Sequence, residues 1–192
     1  MLIYTPYACL VENKAVCAGY AKAFKMLCNA CGIDCLYVTG WGDKERHGWN
    51  CVKLDGDYYF VDATWGDSDV TYDGVKLECV NYEYLCMNRS TLELSHTLSE
   101  ELFVPPLCES EKYDYFVYNG FLLSEYSDDG VSDVIERQSG ERPVLIRFTN
   151  FAAYKETTEC VYRNRVTALK PLNIAFSKSE DKYIIYIYVV DG

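Results

Sequence analysis

Two runs of the sequence, residues 47–54 and 58–63, are rich in aromatic and β-branched side chains and flank Asp55-Gly56. Asp-Gly between two such runs is a strong signal for a β-hairpin with a two-residue turn. The turn also fixes which residues pair, because a shift of one residue would move every side chain to the opposite face of the sheet. The sequence therefore predicts both a hairpin and its register.

This register brings a histidine and a carboxylate together. With the turn centred on Asp55-Gly56, Cys51 pairs with Phe60 and Trp49 lies opposite Asp62. His47 is two residues from Trp49, so its side chain points to the same face as Asp62. Diagonal neighbours across two strands lie roughly 7–8 Å apart, within reach of an imidazole and a carboxylate. We therefore expect His47 beside Asp62.

The remaining patterns of the first half indicate one principal helix and further strands. Apolar residues recur at helical spacing from Cys17 to Cys31, and Gly32 follows where a helix commonly ends. We expect a strand over 33–39, a polar loop over 40–46, another loop over 65–76 and a helix over 82–94.

A proline pair marks the sharpest boundary of the chain. Pro105-Pro106 is followed by polar residues, which stops regular structure and often links folding units. We expect one domain over 1–106 and a small α+β domain of unknown role over 111–192, without a catalytic cluster. Its expected elements are a hairpin of strands 113–117 and 121–126 around Asn119-Gly120, a helix over 131–138, a strand over 143–148, a helix over 151–169, and strands over 173–176 and 183–190, the last one central in its sheet.

Charge and hydropathy exclude several classes of protein. The chain has 18 basic and 29 acidic residues, a net charge of −11, which argues against nucleic acid as a partner. No window is long and apolar enough for a membrane span, and the N-terminus does not resemble a signal peptide. We expect a cytoplasmic protein if this sequence is complete, while an extracellular location is open if a segment precedes it. The oligomeric state is not readable from the sequence.

The ten cysteines are more consistent with buried free thiols than with a disulfide framework, because the chain has an adequate apolar composition. Cys28 and Cys31 have the spacing of half a zinc site. A second cysteine pair or a histidine pair to complete that site is missing. We therefore expect neither a metal nor another cofactor.

Cys17 lies at the expected start of its helix, where the partial positive charge of the helix N-terminus stabilises a thiolate. The chain has two histidines, so any histidine-dependent chemistry must use His47 or His96. The hairpin favours His47, and we interpret His96 as a surface or packing residue. Cys17, His47 and Asp62 form a Cys-His-Asp unit if the helix N-terminus abuts this face of the hairpin.

Three segments of the sequence stand out together: the helix AVCAGYAKAF at 15–24, the strand HGWN at 47–50 and the segment YFVDATW at 59–65. In this order and spacing they resemble bacterial transglutaminase-like proteins. The resemblance covers roughly residues 5–106 and implies a papain-like core, in which one helix packs on an antiparallel sheet. It implies that Cys17 is the nucleophile, His47 the base and Asp62 the orienting acid. Gly48 replaces the usual alanine, an exchange of one small residue for another that we expect to be harmless.

The function implied by this resemblance is that of a cysteine-dependent amide hydrolase. A thioester forms on Cys17 from a peptide or protein substrate, and water then releases the acid. Two alternatives are a transglutaminase, in which an amine replaces water, and a non-catalytic module that binds a protein or a wall component. The Cys17 N–H is expected to bind the oxyanion, with Tyr7 as a second candidate donor, while Trp49 and Trp65 are expected in the sheet core and the cleft wall.

Overall fold

The computed structural model describes residues 2–72, 74–99 and 103–190. The chain divides into two compact units. The first unit contains Met1–Asp67 and Glu83–Tyr115, and the second contains Ser68–Tyr82 and Phe116–Gly192. That residues 1–106 and 111–192 fold as separate domains stays a prediction. Within the described residues, no helix is long and apolar enough to cross a membrane.

The secondary structure consists of short helices and strands around one long helix. The helices are α1 (Pro6–Leu10), α2 (Cys17–Ala30), α3 (Ala63–Gly66), α4 (Arg89–Leu92), α5 (Tyr115–Asn119), α6 (Asp128–Arg137) and α7 (Phe151–Tyr162). The strands are β1 (Cys35–Gly42), β2 (Glu45–Leu54), β3 (Asp57–Val61), β4 (Val70–Tyr72), β5 (Val75–Leu77), β6 (His96–Leu98), β7 (Leu122–Leu123), β8 (Val144–Phe148), β9 (Ile174–Ser179) and β10 (Ile184–Val189). Single 3-10 turns lie at Leu2–Tyr4, Tyr82–Tyr84 and Thr167–Leu169.

The hairpin of the first unit has the predicted register. Cys51 pairs with Phe60 across β2 and β3. The turn residues Asp55 and Gly56 have φ values of 50° and 95°, as a two-residue turn between twisted strands requires. The hairpin belongs to a four-stranded sheet in the order β3-β2-β1-β6, with antiparallel pairing throughout.

The predicted loop over 40–46 is wrong, because β1 continues to Gly42 and β2 begins at Glu45. The turn between them is shortened to Asp43 and Lys44, both with positive φ. β6 pairs with the last residues of β1, on the edge of β1 that does not contact β2, and places His96 opposite Gly42. A strand partner distant in sequence thus keeps this polar, glycine-containing segment extended.

The helix α2 packs on the sheet through small residues and one buried amide. Its buried residues are Gly19, Ala21, Ala23 and Cys28. The side chain of Asn50 on β2 donates hydrogen bonds to the carbonyl of Ala21 at 2.9 Å and to that of Leu36 at 3.2 Å, which joins the helix to two strands. This mixed α and β architecture, with a helix on a curled antiparallel sheet, confirms the predicted fold class.

The predicted helix over 82–94 is wrong for most of its length, and only α4 is α-helical there. Met87 instead exchanges two backbone hydrogen bonds with Phe60, of 2.8 and 2.9 Å. The side chain of Asn88 then accepts from the N–H of Thr91 and starts α4. The helical periodicity of this segment is thus overridden by pairing with the edge of β3.

The second unit contains a sheet in the order β7-β8-β10-β9. β10 lies between two strands, which confirms that the last apolar run is central. The predicted hairpin of 113–117 and 121–126 is wrong. Residues 115–119 are helical, and Gly120, with φ of 72°, ends that helix. The N–H of Phe121 bonds back to the carbonyl of Phe116 at 2.7 Å, so Asn-Gly closes a helix here rather than a hairpin.

Two further boundaries differ from the sequence analysis. The helix predicted over 151–169 ends at Tyr162, and Asn164 has a φ of 51° that a helix cannot continue through. The segment 65–76, expected to be a loop, contributes one turn of α3 and the short antiparallel pair of β4 and β5.

Candidate active site

The structure brings His47 and Asp62 together at the end of the hairpin. Nε2 of His47 lies 2.7 Å from Oδ2 of Asp62. The side chain of His47 is 8% exposed and that of Asp62 is fully buried. Asp62 follows β3 directly, and its N–H bonds to the carbonyl of Tyr84 at 3.0 Å. The hairpin register and this backbone contact together position the carboxylate.

The second carboxylate oxygen of Asp62, Oδ1, caps the N-terminus of the short helix α3. Oδ1 accepts hydrogen bonds from the N–H groups of Thr64 at 2.9 Å and Trp65 at 3.3 Å, so Asp62 is the N-cap of α3. A side-chain cap of this kind satisfies backbone donors that a helix start leaves unpaired. One oxygen therefore fixes the carboxylate, and the other faces the imidazole.

A second imidazole meets the same carboxylate oxygen. Nε2 of His96 lies 3.1 Å from Oδ2 of Asp62, and its Nδ1 lies 2.9 Å from the hydroxyl of Ser95. His96 is buried, so of its two interpretations, surface or packing residue, the first is wrong, and its place in this network was missed. The missed contact depends on the pairing of β6 with β1, which no local pattern around residue 96 indicates. The sequence signal that could have indicated this role is the number of histidines, because a chain with two of them can place both in one site.

Asp62 is held in its ionised form. Burial raises the pKa of this carboxyl, but the hydrogen bonds and the electrostatic attraction of His47 and His96 together lower it more, and the resulting pKa is about 2. An ionised carboxylate only accepts hydrogen bonds. Nε2 of His47 therefore carries the proton of their hydrogen bond, and Nδ1 is the nitrogen of His47 left to exchange a proton.

Two tryptophans flank the imidazoles. The ring of His47 stacks on Trp49 at 5.9 Å and on Trp65 at 5.2 Å between centroids. The same two indoles contact the ring of His96, at 4.9 and 4.3 Å. Trp49 is fully buried in the core of the sheet, and Trp65 is half-buried. Both rings limit how far either imidazole can rotate.

Gly42 permits this packing. A Cβ atom at position 42 would lie 2.8 Å from the ring of Trp65 and 3.4 Å from Cδ2 of His47. The first distance is shorter than real Cβ contacts, so a side chain here would displace the indole. Gly42 therefore leaves the space that the rings of Trp65 and His47 occupy.

Cys17 is the first residue of α2 and is partly exposed. The N-cap residue, Val16, makes no side-chain capping bond. The N–H groups of the first turn therefore have no capping side chain, and the partial positive charge of the helix end acts on the thiol.

Tyr37 neighbours both Cys17 and the strand that carries His47. Burial raises the pKa of Tyr37, and the nearby charge of Cys17 raises it further. A Cβ atom on Gly48 would lie 2.5 Å from the Tyr37 hydroxyl. Glycine at position 48 thus leaves room for the phenol of Tyr37, and the expectation that it replaces the usual alanine without harm stays a prediction. Tyr37 was not identified from the sequence.

Tyr7 lies on α1 with 54% of its surface exposed. In the part of the chain that the structure describes, the hydrogen bonds and ring contacts of the His47–Asp62–His96 network do not include it. Its role as an oxyanion donor stays a prediction.

The cysteines are free thiols, and six of them are buried: Cys28, Cys35, Cys51, Cys79, Cys86 and Cys108. Burial, with a smaller contribution from Cys28, raises the pKa of Cys35 to about 12, as expected for a neutral thiol. Cys31 is exposed. Of the two cysteines with the spacing of half a zinc site, Cys28 is therefore buried and Cys31 is exposed.

His47, Asp62 and His96 are also the group whose side chains could hold a metal ion, since their ligand atoms lie within 4.8 Å of one another. Each of these atoms already takes part in a hydrogen bond within the group. The hydrogen-bonded network accounts for their arrangement, and the absence of a metal stays a prediction.

Residues 3–63, which include α2 and the hairpin, match the family model described as the transglutaminase-like superfamily. Over these residues the chain is similar to this superfamily, which supports the resemblance of its three sequence segments. The match spans Cys17, His47 and Asp62 and ends just after the last of them. That the chain comes from the bacterial branch stays a prediction.

Two similar proteins are named as peptidases. The chain is 28% identical to kyphoscoliosis peptidase of Mus musculus over 164 residues, which covers 74% of this chain and 24% of that protein. It is 25% identical to kyphoscoliosis peptidase of Homo sapiens over 144 residues, or 67% of this chain and 21% of that protein. The chain thus spans less than a quarter of the length of either relative.

The name of a third relative mentions a transglutaminase domain instead of a peptidase. The Lim and transglutaminase domain protein ltd-1 of Caenorhabditis elegans is 31% identical over 75 residues, covering 32% of this chain and 10% of that protein. Together with the family match, the peptidase-named relatives indicate a family of cysteine-dependent enzymes.

Proposed function

We propose that the first unit is a cysteine-dependent amide hydrolase that acts on a peptide or protein through a thioester on Cys17. The observation that carries this proposal is the bond between Nε2 of His47 and Oδ2 of the ionised Asp62. It orients the ring and selects its tautomer, which leaves Nδ1 to accept a proton from the nucleophile.

The place of Cys17 supports its role as that nucleophile. It lies at a helix N-terminus without a side-chain cap, where a thiolate is stabilised. Tyr37 lies near Cys17 and also beside Gly48, the residue next to His47. This shared neighbour supports an arrangement in which the thiol and the imidazole face one cleft.

The reaction follows from these groups. Nδ1 of His47 takes the thiol proton while Sγ of Cys17 attacks the amide carbonyl carbon, and the tetrahedral oxyanion is bound by the Cys17 N–H. The C–N bond then breaks, His47 returns the proton to the leaving nitrogen, and a thioester remains. Water attacks the thioester while His47 takes a proton from that water. Cleavage of the C–S bond then releases the acid, and His47 returns the proton to Sγ of Cys17.

Transamidation uses the same thioester and differs only in the acceptor, so it is the closest alternative. The names of the two peptidase relatives favour hydrolysis. A non-catalytic binding module is the other alternative. It gives no reason for a buried, ionised Asp62 bonded to an imidazole, since a buried charge is costly to maintain.

The test is an incubation of the chain with a mixture of denatured proteins in oxygen-18 water, read by mass spectrometry. Hydrolysis gives labelled new carboxyl termini, deamidation gives labelled glutamate, and an added dansylated diamine detects transamidation. The proposal expects labelled products with the wild type and with Cys31→Ala, but none with Cys17→Ala. Diamine adducts without labelled acids would favour the transamidase, and the absence of products from the wild type would contradict both enzymatic functions.

A further inference from the structure

Asp62 has one more imidazole partner than the proposed mechanism uses. A carboxylate offers about four acceptor sites, and four donors lie on Asp62. Thr64 and Trp65 bond to Oδ1, while His47 and His96 both bond to Oδ2. Oδ2 therefore does not face His47 alone.

We propose that His96 is a positioning residue, which donates a hydrogen bond to Oδ2 of Asp62 and thereby holds the carboxylate ionised and in the orientation that His47 requires. This inference rests on the proposed function, because it assigns His96 a part in activating the same thiol. His96 acts through Asp62 and does not touch the substrate.

The proton arrangement around His96 agrees with this role. Because an ionised carboxylate can only accept, the proton of their hydrogen bond lies on Nε2 of His96. Nδ1 lies 2.9 Å from the hydroxyl of Ser95. Both ring nitrogens of His96 thus have hydrogen-bond partners although its side chain is fully buried.

The packing of His96 makes it a rigid donor. β6 places it opposite Gly42, and the rings of Trp49 and Trp65 contact it. Removal of this donor would leave Oδ2 with one imidazole in an environment where burial favours the neutral carboxyl. A protonated Asp62 could donate to Nε2 of His47 and shift the His47 proton to Nδ1, which would stop that atom from accepting the thiol proton.

The titratable groups that face Asp62 come from three segments. They are His47 on β2, His96 on β6 and Tyr84 on the 3-10 turn. Burial raises the pKa of Tyr84, and the charges of Glu83 and Asp62 raise it further, so the phenol is neutral near pH 7. Besides the N–H groups of Thr64 and Trp65, the two imidazoles therefore stabilise the charge of Asp62 in this range.

The first experiment uses the wild-type chain labelled with nitrogen-15 in histidine, which gives two ring spectra to assign. At pH 7 we expect a proton on Nε2 of the His96 ring. In Asp62→Asn that preference for Nε2 should weaken. A wild-type His96 ring protonated on Nδ1 alone would overturn the proposal, because Nε2 could not then donate to Asp62.

The second experiment measures alkylation of Cys17 by iodoacetamide at pH 6.5, relative to the exposed Cys31 in the same molecule. His96→Leu removes the donor, His96→Gln keeps an N–H near the Nε2 position, and Thr97→Ala changes the exposed neighbour on β6. A small misplacement of a reacting group can cost about 100-fold in rate. We expect the Cys17:Cys31 ratio to fall about 10- to 100-fold in His96→Leu, to recover to within about threefold in His96→Gln, and to stay unchanged in Thr97→Ala.

An unchanged ratio in a folded His96→Leu would overturn the proposal, as would a His96→Gln variant that folds but is not rescued. If His96→Leu does not fold, the proposal is tested by the His96 tautomer in the wild type and by the Cys17:Cys31 alkylation ratio in His96→Gln. A wild-type Cys17 that reacts no faster than Cys31 would contradict the proposed function, while the tautomer would still test the bond from His96 to Asp62.

Discussion

Both units bury amide side chains, but among the described residues they differ in the ionisable side chains that they bury. The described buried carboxylates and the buried histidine lie in the first unit: Asp62, Glu83, His96 and Asp114. In the second unit the buried polar side chains are Gln138 and Thr157. Gln138 bonds to the backbone N–H and carbonyl of Leu145 and to the carbonyl of Val134, so it joins α6 to β8. A neutral amide tied to backbone stabilises a fold, whereas a buried carboxylate shared by two imidazoles is costly and points to chemistry.

The largest effect is expected from Asp62→Asn, which should change stability and reactivity together. The amide loses the negative charge that both imidazoles contact and places N–H donors near their Nε2 atoms. Hydrogen bonds to charged groups contribute about 1.5–3 kcal/mol each, so we expect a loss of at least about 2 kcal/mol in unfolding free energy. The Cys17:Cys31 alkylation ratio should fall to about one. Urea unfolding and peptide mapping measure the two effects, and a stable variant with full reactivity would break the contrast between the units.

Gln138→Leu tests the other side of the contrast. It removes a buried amide and leaves the N–H of Leu145 without its side-chain acceptor, which costs about 1–3 kcal/mol. We expect a lower unfolding free energy but an unchanged reactivity of Cys17. A loss of Cys17 reactivity in the folded variant would show that the second unit also contributes to the chemistry.

The pH dependence of stability should also differ between the units. Asp62 has a pKa of about 2 in the folded chain, against 3.8 as its ordinary value. A lowered folded pKa stabilises the protein above the unfolded pKa, and this contribution is lost as the pH falls from about 4 through 2. The shift corresponds to about 2 kcal/mol. Between pH 7 and pH 2.5, the difference in unfolding free energy between wild type and Asp62→Asn should therefore narrow by about two thirds of that amount. The difference between wild type and Gln138→Leu should not change.

The smallest effect is expected from Gly48→Ala. The added Cβ would lie 2.5 Å from the Tyr37 hydroxyl. Overpacking typically costs about 1–3 kcal/mol, and we expect a value near 1 because the half-buried ring can shift. Tyr37→Phe removes the closest atom, so the double variant should recover most of the loss. Additive losses in thermal or urea unfolding would contradict this steric account.

How much the sequence predicted depends on how local the determining contacts are. Asp55-Gly56 and the flanking runs predicted the register of the hairpin, and hence His47 beside Asp62, because a two-residue turn leaves few alternatives. The end of α2 followed in the same way from Gly32. These features are determined within a few residues of one another.

The errors arise where distant segments meet. His96 joins the site through the pairing of β6 with β1, and Met87 pairs with Phe60 where helical periodicity was expected. Asn119-Gly120 was assigned to a hairpin because the same dipeptide suits a hairpin turn and a helix end. Its context, a helix that buries Phe116, decides between them. The roles of Cys17, His47 and Asp62 stay predictions of the resemblance and the geometry.

The most direct test of the central claim is the alkylation rate of Cys17 from pH 6 to 9, in the wild type and in His47→Ala, with Cys31 as the internal reference. An unactivated thiol is mostly protonated below about pH 8.5 and reacts slowly there. If Asp62 and His47 activate Cys17, it should react at least about 10-fold faster than Cys31 at pH 6.5, and this advantage should disappear in His47→Ala. Equal rates for the two cysteines in the wild type, or an advantage that survives the loss of His47, would contradict the account.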